Sequence, residues 1–359
     1  MGGIYHVGLT MENQICPFCR IRQANKTNTH YLTDYIIRTC LNHAGGKVRE
    51  TGLFVSYNSS QATLEPSFQR EVSPSVIEKA YGREPSDAEI ESAIAETPYS
   101  VDFFFCSECE KVFTQIENDF LGICNSLRGD FGYLKESTLY SNDDWLTVRK
   151  FFYLQLWRAH ICDDTFCLSD SSADALRSIL IGEITDKATI TSFPLGVVYL
   201  VTKLSKEEKE SFKLKGLSEE EIKEKEQALF TGNIVCCVPR ENPYIIVMND
   251  FVLFFFDSIT DVPPTFMSSV NYAERCFKTY IVNNEARTTF LFNIRKNLLI
   301  PEFKRALYDK YVGLCIFYGI EPKDSDWVKF LNDILNADFS LTKYSERTIE
   351  EKFKLNHGL

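Results

Sequence analysis

Val101-Asp102-Phe103-Phe104-Phe105-Cys106-Ser107-Glu108-Cys109-Glu110-Lys111-Val112-Phe113-Thr114-Gln115-Ile116-Glu117-Asn118-Asp119-Phe120-Leu121 is an apolar run, a C-x2-C knuckle and an amphipathic segment in immediate succession. The run predicts a strand. Val112/Phe113, Ile116 and Phe120 recur at helical spacing, so a helix is expected to open at the knuckle. A second knuckle, Cys16-Pro17-Phe18-Cys19, lies upstream. Together the two turns supply four thiolates, the donor set of a tetrahedral structural zinc, and backbone N–H groups of each turn face the sulfurs. Strand, knuckle and helix in that order, with a partner knuckle to complete the set, point to a zinc unit built on Cys16, Cys19, Cys106 and Cys109.

The 359 residues are enough for a full core and, at roughly 150 per domain, for two domains. Hydrophobic residues at 44% and charged ones at 25% exclude a disordered chain, and no apolar run reaches the roughly 18–20 residues of a membrane helix. Met1 to Thr10 shows no basic stretch followed by an apolar one, so no secretory signal is read there and a cytoplasmic location is expected. The remaining cysteines (Cys40, Cys124, Cys162, Cys167, Cys236, Cys237, Cys276, Cys315) lie mostly among apolar neighbours and read as buried free thiols. The net charge is −11, yet the first fifty residues carry +3 and the remainder −14. Arg20, Arg22 and Lys26 therefore form the one plausible phosphate-facing surface, with a solvated face as the plainer alternative.

Taken in order, Thr33 can cap a short helix whose stripe is Ile36, Ile37, Cys40 and Leu41, ending at the glycines 45–46. Residues 44–100 read as an insertion between the knuckles: a strand over 52–57, a turn-rich stretch over 58–74, and helical pieces over 75–80 and 86–94. The polar stretch 122–142 is the expected boundary between a domain over 1–130 and a second over 140–359. That second domain opens with Asp143 to His160, apolar on most faces and therefore expected to be a buried helix, followed by a short helix over 173–181. Strands are expected over 196–204, 233–239, 244–248 and 251–256, with Asn249-Asp250 as a hairpin turn. Ser205 to Gln227, dense in Lys and Glu, reads as a solvated helix pair or an excursion at the sheet rim. Helices are expected over 271–280, 301–318 and 324–337, and a polar tail over 338–359. The fold class is α+β: a treble-clef-like zinc domain with a long insertion, then a mixed helix and antiparallel-sheet domain. Phosphate-loop, dinucleotide and hydrolase-elbow motifs are absent from the sequence.

The order knuckle, histidine, knuckle, helix resembles the zinc-bound branch of the HNH (ββα-metal, treble-clef) nucleases. The resemblance covers about the first 130 residues without the insertion. It implies that the four knuckle cysteines are the zinc ligands, that His30 is the general base, and that Glu110 stands where the family places a metal-binding Asn or His. In such a site a neutral imidazole takes the proton of the attacking water, while Mg2+ or Mn2+ on oxygen ligands stabilises the leaving oxygen. Asp34 and Glu117 are further candidate ion ligands, the former more simply a helix first-turn acid and the latter an exposed helix-face residue, Arg20, Arg22 and Lys26 would contact phosphates, and the substrate would be DNA.

This sequence departs from that family at Thr29, where an Asp or Glu usually precedes the histidine, and a hydroxyl is a far weaker ligand for Mg2+. The rival reading is therefore a catalytically inactive, zinc-stabilised binding or sensor protein. In the second domain, Gln155-x-Trp157-Arg158-Ala159-His160 is a polar cluster in an apolar helix. Arg158 there calls either for a ligand or protein partner, or for a structural ion pair with an acid such as Asp163 or Asp164. The zinc module followed by this helix is also similar to uncharacterised prokaryotic proteins met in phage-defence neighbourhoods.

Overall fold

A computed structural model describes residues 14–36, 53–58, 63–68, 78, 83–95, 99–127, 137–140, 144–163, 166–201, 204, 206–228, 235–238, 242–248, 251–273, 277–282, 284–294, 296–297, 300–335 and 346–358. The architecture is mixed α+β. Around the first knuckle the chain turns back on itself, then enters strand β1 (Thr29–His30), which pairs antiparallel with β4 (Ser100–Val101). Between them lie the hairpin of β2 (Leu53–Asn58) and β3 (Thr63–Phe68), and helix α1 (Asp87–Ala95). Strand β3 occupies part of the stretch expected to be turn-rich. Helix α1 starts on a capping box, in which the Ser86 backbone N–H and hydroxyl both donate to Glu89 Oε2, at 2.8 and 3.0 Å. The stripe residues Ile37, Cys40 and Leu41 and nearly all of 75–80 lie outside the described residues.

Helix α2 (Ser107–Leu127) follows the second knuckle as its periodicity predicts. Phe113 and Phe120 are buried, whereas Val112 faces solvent, because the position next to Phe113 lies about 100° round the helix. Helix α3 (Trp145–Cys162) is the centre of the molecule. Its run from Phe151 to Ala159 is buried on every side, which is why the segment is apolar all round. It packs between α2 and α4 (Asp170–Ile181), and helix α5 (Lys187–Thr191) follows. The Ser169 hydroxyl caps α4, accepting from Ser172 N at 3.3 Å, and Gly182 ends the helix at φ 84°, a left-handed geometry that glycine adopts without cost. The Phe120 ring stacks on Phe151 at 3.9 Å between centroids, joining α2 to α3.

Beyond α5 the chain builds a six-stranded sheet among the described residues, in the order β5 (Ser137–Tyr140), β10 (Phe277–Val282), β6 (Leu195–Leu200), β9 (Phe251–Phe255), β8 (Tyr244–Met248) and β7 (Val235–Val238). Strands β6 to β9 fall where their apolar runs predict. The sheet is not purely antiparallel: β10 runs parallel to β6 and antiparallel to β5. The helix expected over 271–280 is replaced by β10, whose Phe277 and Thr279 point inward with Lys278 between them, a period of two rather than 3.6. Likewise, part of the expected boundary stretch is strand β5. Register pairs Met248 with Phe251, as a two-residue turn requires, while Asn249 and Asp250 themselves lie outside the described residues. At Gly196 a Cβ would come within 3.1 Å of the Ser269 carbonyl, so this strand position can carry no side chain without displacing the turn over Pro264–Ser269.

One face of the sheet joins α3 and the knuckles in a single buried cluster that contains Cys16, Phe18, Phe105, Trp157, Tyr199, Leu253 and Phe277. The opposite face, with Leu200, Val247 and Val252, is covered by Phe290 and Ile294 of α8 (Asn284–Ile294). The Lys/Glu stretch forms helices α6 (Lys206–Leu214) and α7 (Glu219–Ala228), largely solvated apart from Ile222. Helices α9 (Ile300–Tyr318), α10 (Asp324–Leu335) and α11 (Glu346–His357) close on a core of their own, built from Leu307, Tyr311, Phe330, Ile349 and Phe353. The expected polar tail is thus largely helix α11: Ile349 and Phe353, four apart, bury against Tyr311, each worth about 1.5–3 kcal/mol. No helix among the described residues is long and apolar enough to cross a membrane.

Candidate metal centre

The first knuckle is a tight backbone loop. Cys16 N donates to Arg22 O at 2.7 Å, Ala24 N to Gln14 O at 2.7 Å, and Arg20 N to Cys16 O at 2.8 Å. Closing the loop puts Arg20 at φ 57°, left-handed for a residue with a side chain. It also aims Arg22 N at Cys19 Sγ, 3.4 Å away. From here the chain runs beside the approach to the second knuckle. Asn25 N and Lys26 N both donate to Phe105 O, at 3.1 and 2.9 Å, and Phe103 N donates to Lys26 O at 2.7 Å. The Asn25 carboxamide accepts from Ser107 N at 2.9 Å, capping α2 from the loop that follows the first knuckle. Cys106 and Cys109, three apart at the start of α2, therefore face Cys16 and Cys19.

All four sulfurs lie within 4.8 Å of one another, and Cys19 Sγ is 3.9 Å from Cys106 Sγ. A tetrahedron with metal–sulfur bonds of about 2.3 Å has edges of about 3.8 Å. The group fits a metal ion such as zinc, and an all-sulfur donor set disfavours Mg2+ or Ca2+. The thiols are electrostatically unequal. Burial pushes Cys16 up, and Cys109 is driven far up by burial and then by its hydrogen bond to Cys106. Burial also opposes ionisation of Cys19, but the N–H groups of Arg22 and Ile21 and the neighbouring thiols hold it down at about 6. A bound dication is what lets all four ionise together. Apolar packing fixes the scaffold: Phe18 lies edge-on to Phe113 at 4.8 Å and to Trp157 at 5.2 Å. Buried Arg177 of α4 donates from Nε to Phe18 O at 2.6 Å, a tie that no sequence motif announces.

A second polar group lies between β1, α2 and α3. Arg158, 1% exposed, donates to the Glu117 carboxylate, which is 22% exposed, and to Thr33 Oγ1 at 3.3 Å. The Thr33 hydroxyl donates in turn to Glu117 Oε1 at 2.8 Å, and Thr33 N donates to Gln155 Oε1 at 2.9 Å. The ion pair that Arg158 calls for is made with Glu117 of α2, while Asp164 lies outside the described residues, and the guanidinium also lies 5.6 Å from the Phe113 ring centroid. Glu117 is not the exposed helix-face residue that its sequence position suggests, and the Thr33 hydroxyl donates to it. Thr29 is buried, and its hydroxyl stands 3.4 Å from Glu110 Oε2. Burial raises the Glu110 carboxyl and Glu117 adds to the rise, while Arg158, Thr29 and Lys26 partly offset it.

His30 is half-buried on β1, opposite Ser100. Successive strand residues point to opposite faces, so with Thr29 turned to Glu110, His30 lies on the other face of this short ladder. Asp34 begins the helical turn after Thr33. Among the described residues the knuckle cysteines are the group of three or more metal-ligating side chains that converges; His30, Asp34 and Glu110 make no such group. Of the three cations, Arg20 pairs with Asp174 on the surface, Arg22 sits beside the Cys106 thiol, and Lys26 lends its charge to Glu110. His160 Nδ1 accepts from Leu168 N at 3.1 Å and serves the turn before α4. Cys236, Cys237 and Cys315 are buried free thiols as expected, Cys162 is half-buried and Cys167 is exposed, while the side chains of Cys40, Cys124 and Cys276 lie outside the described residues. No family model, curated protein or solved structure matches the chain.

Proposed function

We propose that this chain is a zinc-stapled binding protein whose treble-clef-like unit is related to HNH nucleases but lacks their catalytic ion site. The observation that carries the reading is the place of Arg158. A nuclease of that type needs a hard dication among carboxylates on the side of β1 that faces α2. Here the neutral Thr29 hydroxyl meets Glu110, and the buried Arg158 guanidinium pairs with Glu117. The knuckles in this reading hold zinc structurally. Arg158, Thr33 and Gln155 lock the unit to α3, and the helical unit of α9 to α11, which exposes Ile316, Phe317 and Leu355, meets a protein partner in the cytoplasm.

The test is to incubate the purified full chain with supercoiled plasmid and single-stranded DNA in Mg2+ or Mn2+, beside His30→Ala and an EDTA control, after measuring bound metal by mass spectrometry. Zinc retained with no cleavage beyond the EDTA control is the expected result. Metal-dependent cleavage that disappears in His30→Ala would establish the nuclease instead, with DNA as its substrate.

A further inference from the structure

The four sulfurs of the metal centre differ in access. Cys16, Cys106 and Cys109 are at most 3% exposed, whereas Cys19 is half-buried at the rim. Cys19 is also 3.9 Å from Cys106, a residue 87 positions away on the other knuckle. A disulfide between these two would need the sulfurs to close to about 2.05 Å. It would tie the knuckles together while removing two of the four ligands. Among the described thiols outside the knuckles, burial pushes Cys236 up to about 12 and Cys162, Cys237 and Cys315 upward, leaving them weak nucleophiles, while Cys167 is exposed.

We infer that the centre is an oxidation-released staple, in which a hydroperoxide such as hydrogen peroxide enters at Cys19 and the product is a Cys19–Cys106 disulfide with loss of the ion. The inference rests on the reading that the knuckles hold zinc. The chemistry balances without any further reactant. The Cys19 thiolate attacks one peroxide oxygen, so an S–O bond forms, the O–O bond breaks, and hydroxide leaves to become water with a proton from solvent. The Cys106 thiolate then attacks the Cys19 sulfur; the S–S bond forms, the S–O bond breaks, and a second hydroxide leaves as water with another solvent proton. Two sulfurs have lost two electrons to one peroxide. Cys16 and Cys109 alone do not complete a tetrahedral site, so the ion passes to solvent. Because Cys106 immediately precedes α2, release loosens the first turn of that helix, from which Glu110 reaches Thr29.

The experiment uses the full chain carrying Cys167→Ala, which removes an exposed thiol that would itself consume oxidant. Zinc content is measured first; peroxide is then titrated against a chromogenic zinc chelator, and disulfides are mapped by peptide mass spectrometry on the same samples. About one zinc per chain should be released in step with a Cys19–Cys106 linkage, and thiol reductant with added zinc should restore the starting state. Zinc retained under peroxide that fully oxidises a free-thiol control overturns the inference and leaves the zinc reading standing, as does release accompanied by any other linkage. A chain that binds no zinc before peroxide is added sinks both.

Discussion

The Thr29 hydroxyl and the Glu110 carboxylate face each other at 3.4 Å across β1 and the first turn of α2. The relationship gives the carboxylate an uncharged donor rather than a second acid beside it, and His30, next along β1, lies on the opposite face of the strand. It also leaves Glu110 in a place that disfavours its charge. Burial is the largest cause, Glu117 adds to it, and Arg158, Thr29 and Lys26 do not cancel it, so the carboxyl lies above its ordinary 4.5.

That shift has a signature in pH. An acid raised in the folded state takes up a proton on folding between its unfolded and folded values. Its contribution to stability is complete below the ordinary 4.5 and is lost as pH climbs through the raised value. Glu110→Gln carries no charge at any pH. Its stability relative to wild type should therefore rise as the pH is taken from about 4 to about 7, measured by urea unfolding at each pH. A difference that stays flat or falls would mean that Arg158 stabilises the charged form outright.

Removing Arg158 should be costly. Arg158→Met leaves Glu117 and the Thr33 hydroxyl facing an apolar side chain, and breaking such a pair costs about 3 kcal/mol, toward the low end of the usual range because Glu117 keeps some contact with water. The double variant Arg158→Met/Glu117→Leu should recover most of that loss, since the acid paired directly with Arg158 is then gone too. Chemical denaturation of the two variants distinguishes an ion pair that stabilises from one that only must not be broken.

Two arginines that reach the first knuckle should behave differently. Arg177 is buried and donates to the Phe18 carbonyl, so Arg177→Ala orphans that carbonyl and should cost about 1.5–3 kcal/mol while weakening metal retention against a chelator. Arg20 pairs with Asp174 in the open, and Arg20→Ala should leave the unfolding midpoint and metal retention unchanged.

Stripping the metal should reach beyond the knuckles. Cys16, Cys106 and Cys109 belong to the same buried cluster as Trp157 and the inner face of the sheet, so a strong chelator should lower the main thermal transition and alter near-ultraviolet circular dichroism. Ile349→Ala should act elsewhere. It cuts into the separate core of α9 to α11, costing about 2–5 kcal/mol there without changing zinc content. Loss of zinc in that variant would show that the two cores are coupled.

What could be read from the sequence tracks how local each signal is. The knuckles were legible because both ligands of each lie within one turn, and α2 and α3 because their apolar positions recur within the helix itself. Strands β6 to β9 were legible as well, being buried on both faces and therefore apolar throughout. Strand β10 was not: its inward positions are Phe277 and Thr279, its neighbours in the sheet are β5 and β6, and nothing near it in the chain reveals either. Helix α11 escaped for a similar reason, since Ile349 and Phe353 are sparse in a polar segment until Tyr311 supplies their partner. At the candidate site the sequence marked Arg158 as a charge needing an answer, but the answer, Glu117, looks in sequence like any polar residue on the outer face of an amphipathic helix.

The separation of 87 residues between Cys19 and Cys106 also sets a schedule for the ribosome. At about 5–20 residues per second, the first pair of thiols leaves the tunnel roughly 4–17 seconds before the second. For that interval the leading knuckle has only half a coordination shell, and the nascent chain must carry two uncommitted sulfurs through the making of the whole β2–β3 and α1 segment before the centre can close.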